Sequence, residues 1–322
     1  MSSHEDPTVN DDFYEWLNAK YGEHGDVTQK RGKIHEHLGM DFDLNKPGEV
    51  IMDMTKYMKD MIDSFDGEIK MTNKTLSPMA ILGFNNDESE PLDDDERENF
   101  HTVVAKGLYA CKWGRPDIHT AIAHLTTRVN EPNQNDMAKL VRLLKYINGT
   151  IDYKLRFSAD DLCIIKWYVD ASFATHQDFK SHTGGVMTYG RGAPITVSKK
   201  QKLNTRSSTE SELVGADDVA IMILWTKLFM EEQGYNIDKN ILYQDNKSTI
   251  LLENNGKQSS SQRTRAINIR YFFITDQVKR GNVEVAYCPT KAMTADYMTK
   301  PLQGSLFKKF RDEIMGEQLV LQ

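Results

Sequence analysis

Apolar positions along this chain fall into two textures. Up to about residue 150 they recur mostly at helical spacing, and beyond Tyr153 short apolar runs alternate with helical stretches. Residues 1–12 are polar and acidic and read as a loose tail. Asp11–Tyr21 then reads as a short amphipathic helix ended by Gly22. Lys33–Asp43 alternates like a strand, and Lys46-Pro47-Gly48-Glu49 turns it into a second one at Val50–Met54, which predicts a hairpin. Met54, Tyr57, Met58, Met61, Ile62 and Phe65 fall at helical spacing, and the methionines read as packing rather than a cofactor site. The acidic stretch Asn85–Glu98 reads as a solvated loop. Three helices follow, over Glu98–Lys112, Asp117–Val129 and Asn135–Ile147, the first two parted by Gly114-Arg115-Pro116 and the third stopped by Gly149. No unit recurs at a fixed period, which argues against a solenoid.

Past Tyr153 the pattern predicts strands at Leu162–Val169, Gly184–Tyr189 and Ile195–Lys199, with Gly190-Arg191-Gly192 as a turn. Ser207 then opens a long helix that ends near Gly234, and Ser207 with Glu210 three positions on has the form of a capping box. A strand over Asn240–Gln244, helices over Lys247–Asn254 and Ala266–Arg280, a strand over Val283–Tyr287 and a helix over Gly304–Met315 complete the chain. This order predicts an α/β layer fold with a mixed sheet.

Length and charge refine that picture. A chain of 322 residues can bury a real core and is expected to make two domains. Residues 1–160 hold 19 Lys+Arg against 29 Asp+Glu, a net of −10, whereas residues 161–322 hold 21 against 18, a net of +3. The two halves therefore suit different partners. Cys111, Cys163 and Cys288 are few, scattered and odd in number, which fits a reducing compartment and neither a disulfide framework nor a zinc site. Nothing resembles a signal peptide, and no apolar run approaches the roughly 20 residues of a membrane span, so an intracellular protein is expected.

Candidate chemistry begins with acids. Glu212 shares a helical stripe with Ala216, Val219 and Ile223, the face that turns inward, where an unpaired carboxylate is costly. Asp170 and Asp245 stand where apolar strands run out, the sheet edge that ligand sites favour. Asp296 follows the small residues Thr294-Ala295 after the last strand. If these four converge they need counter-ions, and two Mg²⁺ ions roughly 3.5–4 Å apart, clamping a phosphodiester, are an established solution. Each acid taken singly also fits a cap or a surface charge. His35, Glu36 and His37 would alternate faces in a strand with no third ligand near, so they are not read as a metal site. Ser207 and Ser208 lack a Gly-x-Ser-x-Gly elbow and suggest no hydrolase triad.

Six motifs occur in order over about 130 residues: Tyr168-Val169-Asp170-Ala171-Ser172-Phe173, Ser181-His182-Thr183-Gly184-Gly185, Ser198-Lys199-Lys200-Gln201, Ser207 to Leu213, Asp245-Asn246-Lys247-Ser248 and Ala295 to Leu302. Together they resemble the RNase H domain of copia-type retrotransposon polyproteins. Gly32 to Met40 is similar to the segment after the polymerase active site of the same polyprotein's reverse transcriptase. Arg115-Pro116-Asp117-Ile118 and Leu144 to Thr150 are similar to its thumb and connection region. The resemblance implies an end of reverse-transcriptase palm and start of thumb over 1–75, a helical thumb/connection region over 76–158, and an RNase H-like domain over 159–322. The fold it implies there is a mixed five-stranded sheet flanked by helices, preceded by a mainly helical part with a small β-hairpin.

The family's catalytic and metal-binding acids fall on Asp170, Glu212, Asp245 and Asp296, which implies cleavage of the RNA strand in RNA–DNA hybrids with two Mg²⁺ ions, Mn²⁺ able to substitute. Lys199, Lys200, Lys202, Arg206, Arg263 and Arg265 then become candidate backbone contacts to the hybrid. The implied partners are that duplex and the polymerase part of the polyprotein, with no membrane and no small-molecule cofactor. The implied compartment is a cytoplasmic virus-like particle, the nucleus or both. No Tyr-x-Asp-Asp turn precedes residue 30, so DNA synthesis is not expected. Many relatives carry His where Ala266 and Phe272 stand, and no His lies in the loop before Asp296. The alternative is a decayed or repurposed fragment that binds nucleic acid, or serves as a scaffold, without cutting.

Overall fold

The computed structural model describes residues 4, 6–67, 69, 77–85, 88–256 and 268–317. Its first part carries α1 (Pro7–Tyr21), β1 (Ile34–His37), β2 (Met40–Asp43), β3 (Glu49–Asp53), α2 (Thr55–Asp63), α3 (Asp94–Trp113), α4 (His119–Thr126) and α5 (Gln134–Gly149). Then come β4 (Leu155–Ala159), β5 (Ile164–Ser172), β6 (His182–Thr188), β7 (Gly190–Arg191), β8 (Ile195–Lys200), α6 (Ser208–Glu232), β9 (Lys239–Gln244) and α7 (Lys247–Asn255). The chain finishes with α8 (Asn268–Lys279), β10 (Glu284–Tyr287), the single turn α9 (Asp296–Thr299) and α10 (Gly304–Met315).

Local chemistry explains where elements depart from their apolar periodicity. α1 starts at Pro7, inside the expected tail, because the Asp6 side chain accepts from the Thr8 amide and Pro7 suits a first helical position. α3 reaches back to Asp94, into the expected loop, because Asp93 and Glu96 form a reciprocal capping box. The alternating run Lys33–Asp43 is two strands, not one. Leu38 and Gly39 both have positive φ, 51° and 76°, and their turn folds β2 back antiparallel on β1.

The expected hairpin is part of a larger sheet. β1, β2, β3, β4 and β7 lie side by side in that order, all antiparallel. Gly190-Arg191, expected as a turn, is its edge strand, with Ser158 opposite Arg191. The second sheet has the order β10-β9-β5-β6-β8. β10, β9 and β5 run parallel, while β6 and β8 run antiparallel to their neighbours, giving a mixed five-stranded sheet with flanking helices.

Two cores hold these layers. Ile165, Trp167, Val169 and Leu242 from the second sheet pack with Val219 and Ile223 of α6. The other core runs from Met54, Met58 and Met61 through Phe100, Ile122 and Leu144 to Tyr297, Phe307 and Phe310, so it spans both parts of the chain. Fully burying each such side chain contributes about 1.5–3 kcal/mol. A buried polar network sits inside this second core. Arg115 donates to both oxygens of Asp117 at 2.8 Å and to Thr150 Oγ1 at 2.7 Å, while the Tyr146 hydroxyl donates to Asp117 Oδ2 at 2.8 Å. Two separate motifs of the sequence thus meet at one ion pair.

Candidate metal centre

Three elements bring acids to one edge of the second sheet. Asp170 lies within β5 rather than beyond it, because Ala171 and Ser172 still pair with Thr183 and His182. β9 runs parallel beside β5, so Asp245, the residue after β9, emerges at the same edge. Asn246 then turns the chain by accepting from the Ser248 amide at 3.0 Å and the Thr249 amide at 3.2 Å, starting α7.

Glu212 comes from the second turn of α6. Ser207 accepts from the Glu210 amide at 3.2 Å, as a capping residue should. The Glu210 carboxylate accepts from the Arg206 amide at 2.7 Å, one residue before the amide a strict capping box would use. Gln201 pins this helix start to the sheet, donating to Ser211 O at 2.9 Å and Thr183 Oγ1 at 3.0 Å. As a result, one carboxylate oxygen from each of Asp170, Glu212 and Asp245 lies within 4.8 Å of the other two.

Asp296 stands next to this triplet rather than within it. It opens α9, and the Lys300 ammonium lies 2.5 Å from Asp296 Oδ1 and 3.3 Å from Asp170 Oδ2. Thr299 also donates to Asp170 Oδ2 at 2.5 Å, and Thr290 donates to Asp245 Oδ2 at 2.9 Å. Sequence patterning assigns no role to Lys300, Thr299 or Thr290, although the first two lie in the last of the six motifs. Only Lys300 leaves a trace there, its spacing of four from Asp296.

α9 is a single turn, too short to hold itself, and its carbonyls are held from outside. Thr120 of α4 donates to Tyr297 O at 2.6 Å, Ser198 of β8 to Met298 O at 2.8 Å, and Ser172 of β5 to Thr299 O at 3.1 Å. The Tyr297 hydroxyl donates to Asp117 O at 2.8 Å. Gly184 leaves room beneath the turn. A Cβ there would lie 2.6 Å from Thr299 Cγ2 and 2.8 Å from both Ala295 O and Met298 Cβ. The paired glycines of the second motif thus serve close packing.

Electrostatics mark the site as short of positive charge. Glu212 is 5% exposed, and its Oε2 is buried without a hydrogen-bond partner. Burial pushes its pKa well above the ordinary carboxylate value, and the charges of Asp170 and Asp245 push it further. Asp296 is pushed up to about 7, first by burial and then by Asp170. Burial works against the Lys300 ammonium, but Asp170 and Asp296 outweigh it and hold its pKa above the usual lysine range. Three converging carboxylates with one oxygen unpartnered form a donor set suited to a hard divalent cation such as Mg²⁺.

The basic residues named as candidate backbone contacts are partly engaged already. Lys199 pairs with Asp218 at 3.2 Å and Lys200 with Asp178 at 2.8 Å, whereas Lys202 and Arg206 are exposed. Arg263, Arg265 and Ala266 lie outside the described residues, as does the side chain of Phe272.

Comparison with known proteins adds a consistent set of relatives. The chain is 27% identical over 292 residues to the retrovirus-related Pol polyprotein from transposon TNT 1-94 of Nicotiana tabacum, covering 88% of this chain. It is 31% identical over 213 residues, 66% of its length, to that from transposon RE1 of Arabidopsis thaliana. It is 24% identical over 200 residues to a putative transposon Ty5-1 protein of Saccharomyces cerevisiae, covering 60% of this chain and 62% of that protein. The chain spans 22% of the length of the tobacco relative and 14% of that of the Arabidopsis relative. No protein-family model matches it.

Proposed function

This chain is a homologue of copia-type retrotransposon Pol polyproteins, and from that premise we propose that it is an RNA–DNA hybrid ribonuclease. The reaction is hydrolysis of a phosphodiester in the RNA strand. The observation that carries the reading is the convergence of Asp170, Glu212 and Asp245 within 4.8 Å at one sheet edge. Those three side chains would hold Mg²⁺. When bound, the ion supplies charge stabilisation at the phosphate and a lowered pKa for attacking water.

The chain's own residues do the rest. Glu212 lends a carboxylate held high in pKa by burial, so it binds a cation in preference to staying ionised alone. Thr299 and Thr290 fix the rotamers of Asp170 and Asp245 through the hydrogen bonds they donate. Lys202 and Arg206, both exposed and ahead of α6 in the chain, would meet the phosphate backbone of the hybrid without reading its sequence.

The test is cleavage of an end-labelled RNA–DNA hybrid by the purified chain with Mg²⁺ or Mn²⁺. Shortening of the RNA strand alone, lost in Asp170→Asn, supports the reading. Retention of the hybrid without cleavage under every metal condition would instead make the chain a binding fragment.

A further inference from the structure

Four carboxylates gather at this edge, yet they divide between two kinds of counter-charge. Among the described residues, no Lys or Arg lies within ion-pair distance of Glu212 or Asp245. Asp296 is met by Lys300 at 2.5 Å, and Asp170 is shared between the two sides, 3.3 Å from the same ammonium. We propose that Lys300 is a resident cation standing where a second metal ion would otherwise bind, so that the site takes a single divalent ion on Asp170, Glu212 and Asp245. This rests on the hybrid-nuclease reading only for its chemistry, since the ion count can be measured without nucleic acid.

The backbone fixes where the ammonium goes. Lys300 follows Asp296 by four residues and its amide donates to Asp296 O at 3.0 Å, so side chain and carboxylate leave the same side of α9. Lys300 is extended, with φ −130° and ψ 140°, as the following Pro301 favours. Thr299 O and Met298 O are held by Ser172 and Ser198, so the turn has little freedom to carry the lysine away. An ammonium is a compact point charge with three donors. Two donors account for Asp296 and Asp170, and the third is free for solvent or a phosphate oxygen. The side chain is 38% exposed, which leaves that flank open.

Charge arithmetic favours the same division. A divalent ion between Asp170 and Asp296 would stand beside a lysine already paired with both. Like charges at contact distance repel. Glu212 and Asp245 carry no such competitor, and the unpartnered Glu212 Oε2 is there to be coordinated. Asp296 is thus a positioning residue that holds Lys300.

The test counts bound Mn²⁺ by electron paramagnetic resonance, with calorimetric titration alongside, on the full chain free of nucleic acid. Wild type should bind one ion, and Lys300→Met two, because removing the ammonium frees Asp170 and Asp296 for a metal. Lys300→Arg should keep the count at one. Asp296→Asn should leave the affinity for the single ion within about threefold, which holds the inference open to refutation even if Lys300→Met fails to fold. Two ions in wild type, no ion at all, or an unchanged count in Lys300→Met overturns it. The two ideas fail separately. One ion in wild type and two in Lys300→Met, with no hybrid cleaved, ends the nuclease reading alone, whereas cleavage by a wild type holding two ions ends this one alone.

Discussion

Thr120 donates its hydroxyl to the backbone carbonyl of Tyr297 at 2.6 Å, across 177 residues of chain. One hydrogen bond thus ties the helices before residue 150 to the turn that begins with Asp296. Both groups are buried, so the carbonyl has no water to turn to.

Thr120→Val should therefore cost about 1–3 kcal/mol, the penalty for an unsatisfied buried acceptor, with shape almost unchanged. Urea unfolding of the variant measures it, and Thr120→Ser should recover most of the loss. A variant as stable as wild type would show that the turn is held by its other anchors alone.

Gly184→Ala tests the packing under the same turn. The added methyl would meet Ala295 O and Met298 Cβ, and neither belongs to the flexible end of a side chain. The turn must lift, at about 1–3 kcal/mol for overpacking, and Thr299 moves off Asp170 with it. Thermal melting should show the loss, and the stabilisation given by added Mg²⁺ should shrink in parallel.

Glu212→Gln should reveal the buried charge through pH. In the metal-free fold the pKa of Glu212 lies well above its ordinary 4.5, so the folded state holds a proton that the unfolded chain gives up. The fold is unpenalised below that ordinary value and loses stability as pH rises toward the raised one. Glu212→Gln escapes the penalty. Its Tm should exceed that of metal-free wild type at about pH 8, and the gap should close near pH 4. Mg²⁺ should raise the Tm of wild type and leave that of the variant unmoved. A constant gap across pH would mean that Glu212 is not the group responsible.

Glu210→Gln is the contrasting change two residues away. Its side chain accepts from the Arg206 amide, and a glutamine oxygen can do the same. The loss should stay within about 1 kcal/mol, with hybrid cleavage retained. Cleavage abolished in Glu210→Gln but kept in Glu212→Gln would exchange their roles.

Much of this arrangement was legible in residue types, and what was not has a common cause. Asp245 is the polar residue that ends an apolar strand, and the parallel pairing of β9 with β5 is what carries it to the edge where Asp170 lies. Glu212 stood out because it is charged on an inward stripe. α10 begins and ends where its periodicity says. Ending the strand at Asp170 stops two pairings too early, since Ala171 and Ser172 carry no strong apolar signal yet remain in the ladder. The roles of Thr120 and Ser198 are illegible for another reason. Each acts on a carbonyl that only the folded chain brings close, and a lone Thr or Ser carries no periodic mark. β7 is two residues long, too short to have a period at all.

That short strand has a consequence of its own. β4 precedes the first strand of the second sheet, and β7 lies between two strands of it, yet both belong to the first sheet. Arg191 on β7 reaches Glu49 at 3.3 Å, and Arg156 on β4 reaches the same carboxylate at 3.6 Å. The two sheets are therefore braided along the chain, and no single scission leaves each with all its strands. A piece starting at residue 160 would carry β7 away from its only neighbour. The two parts should accordingly lose structure together, as one calorimetric peak instead of two, and recover only when both are present.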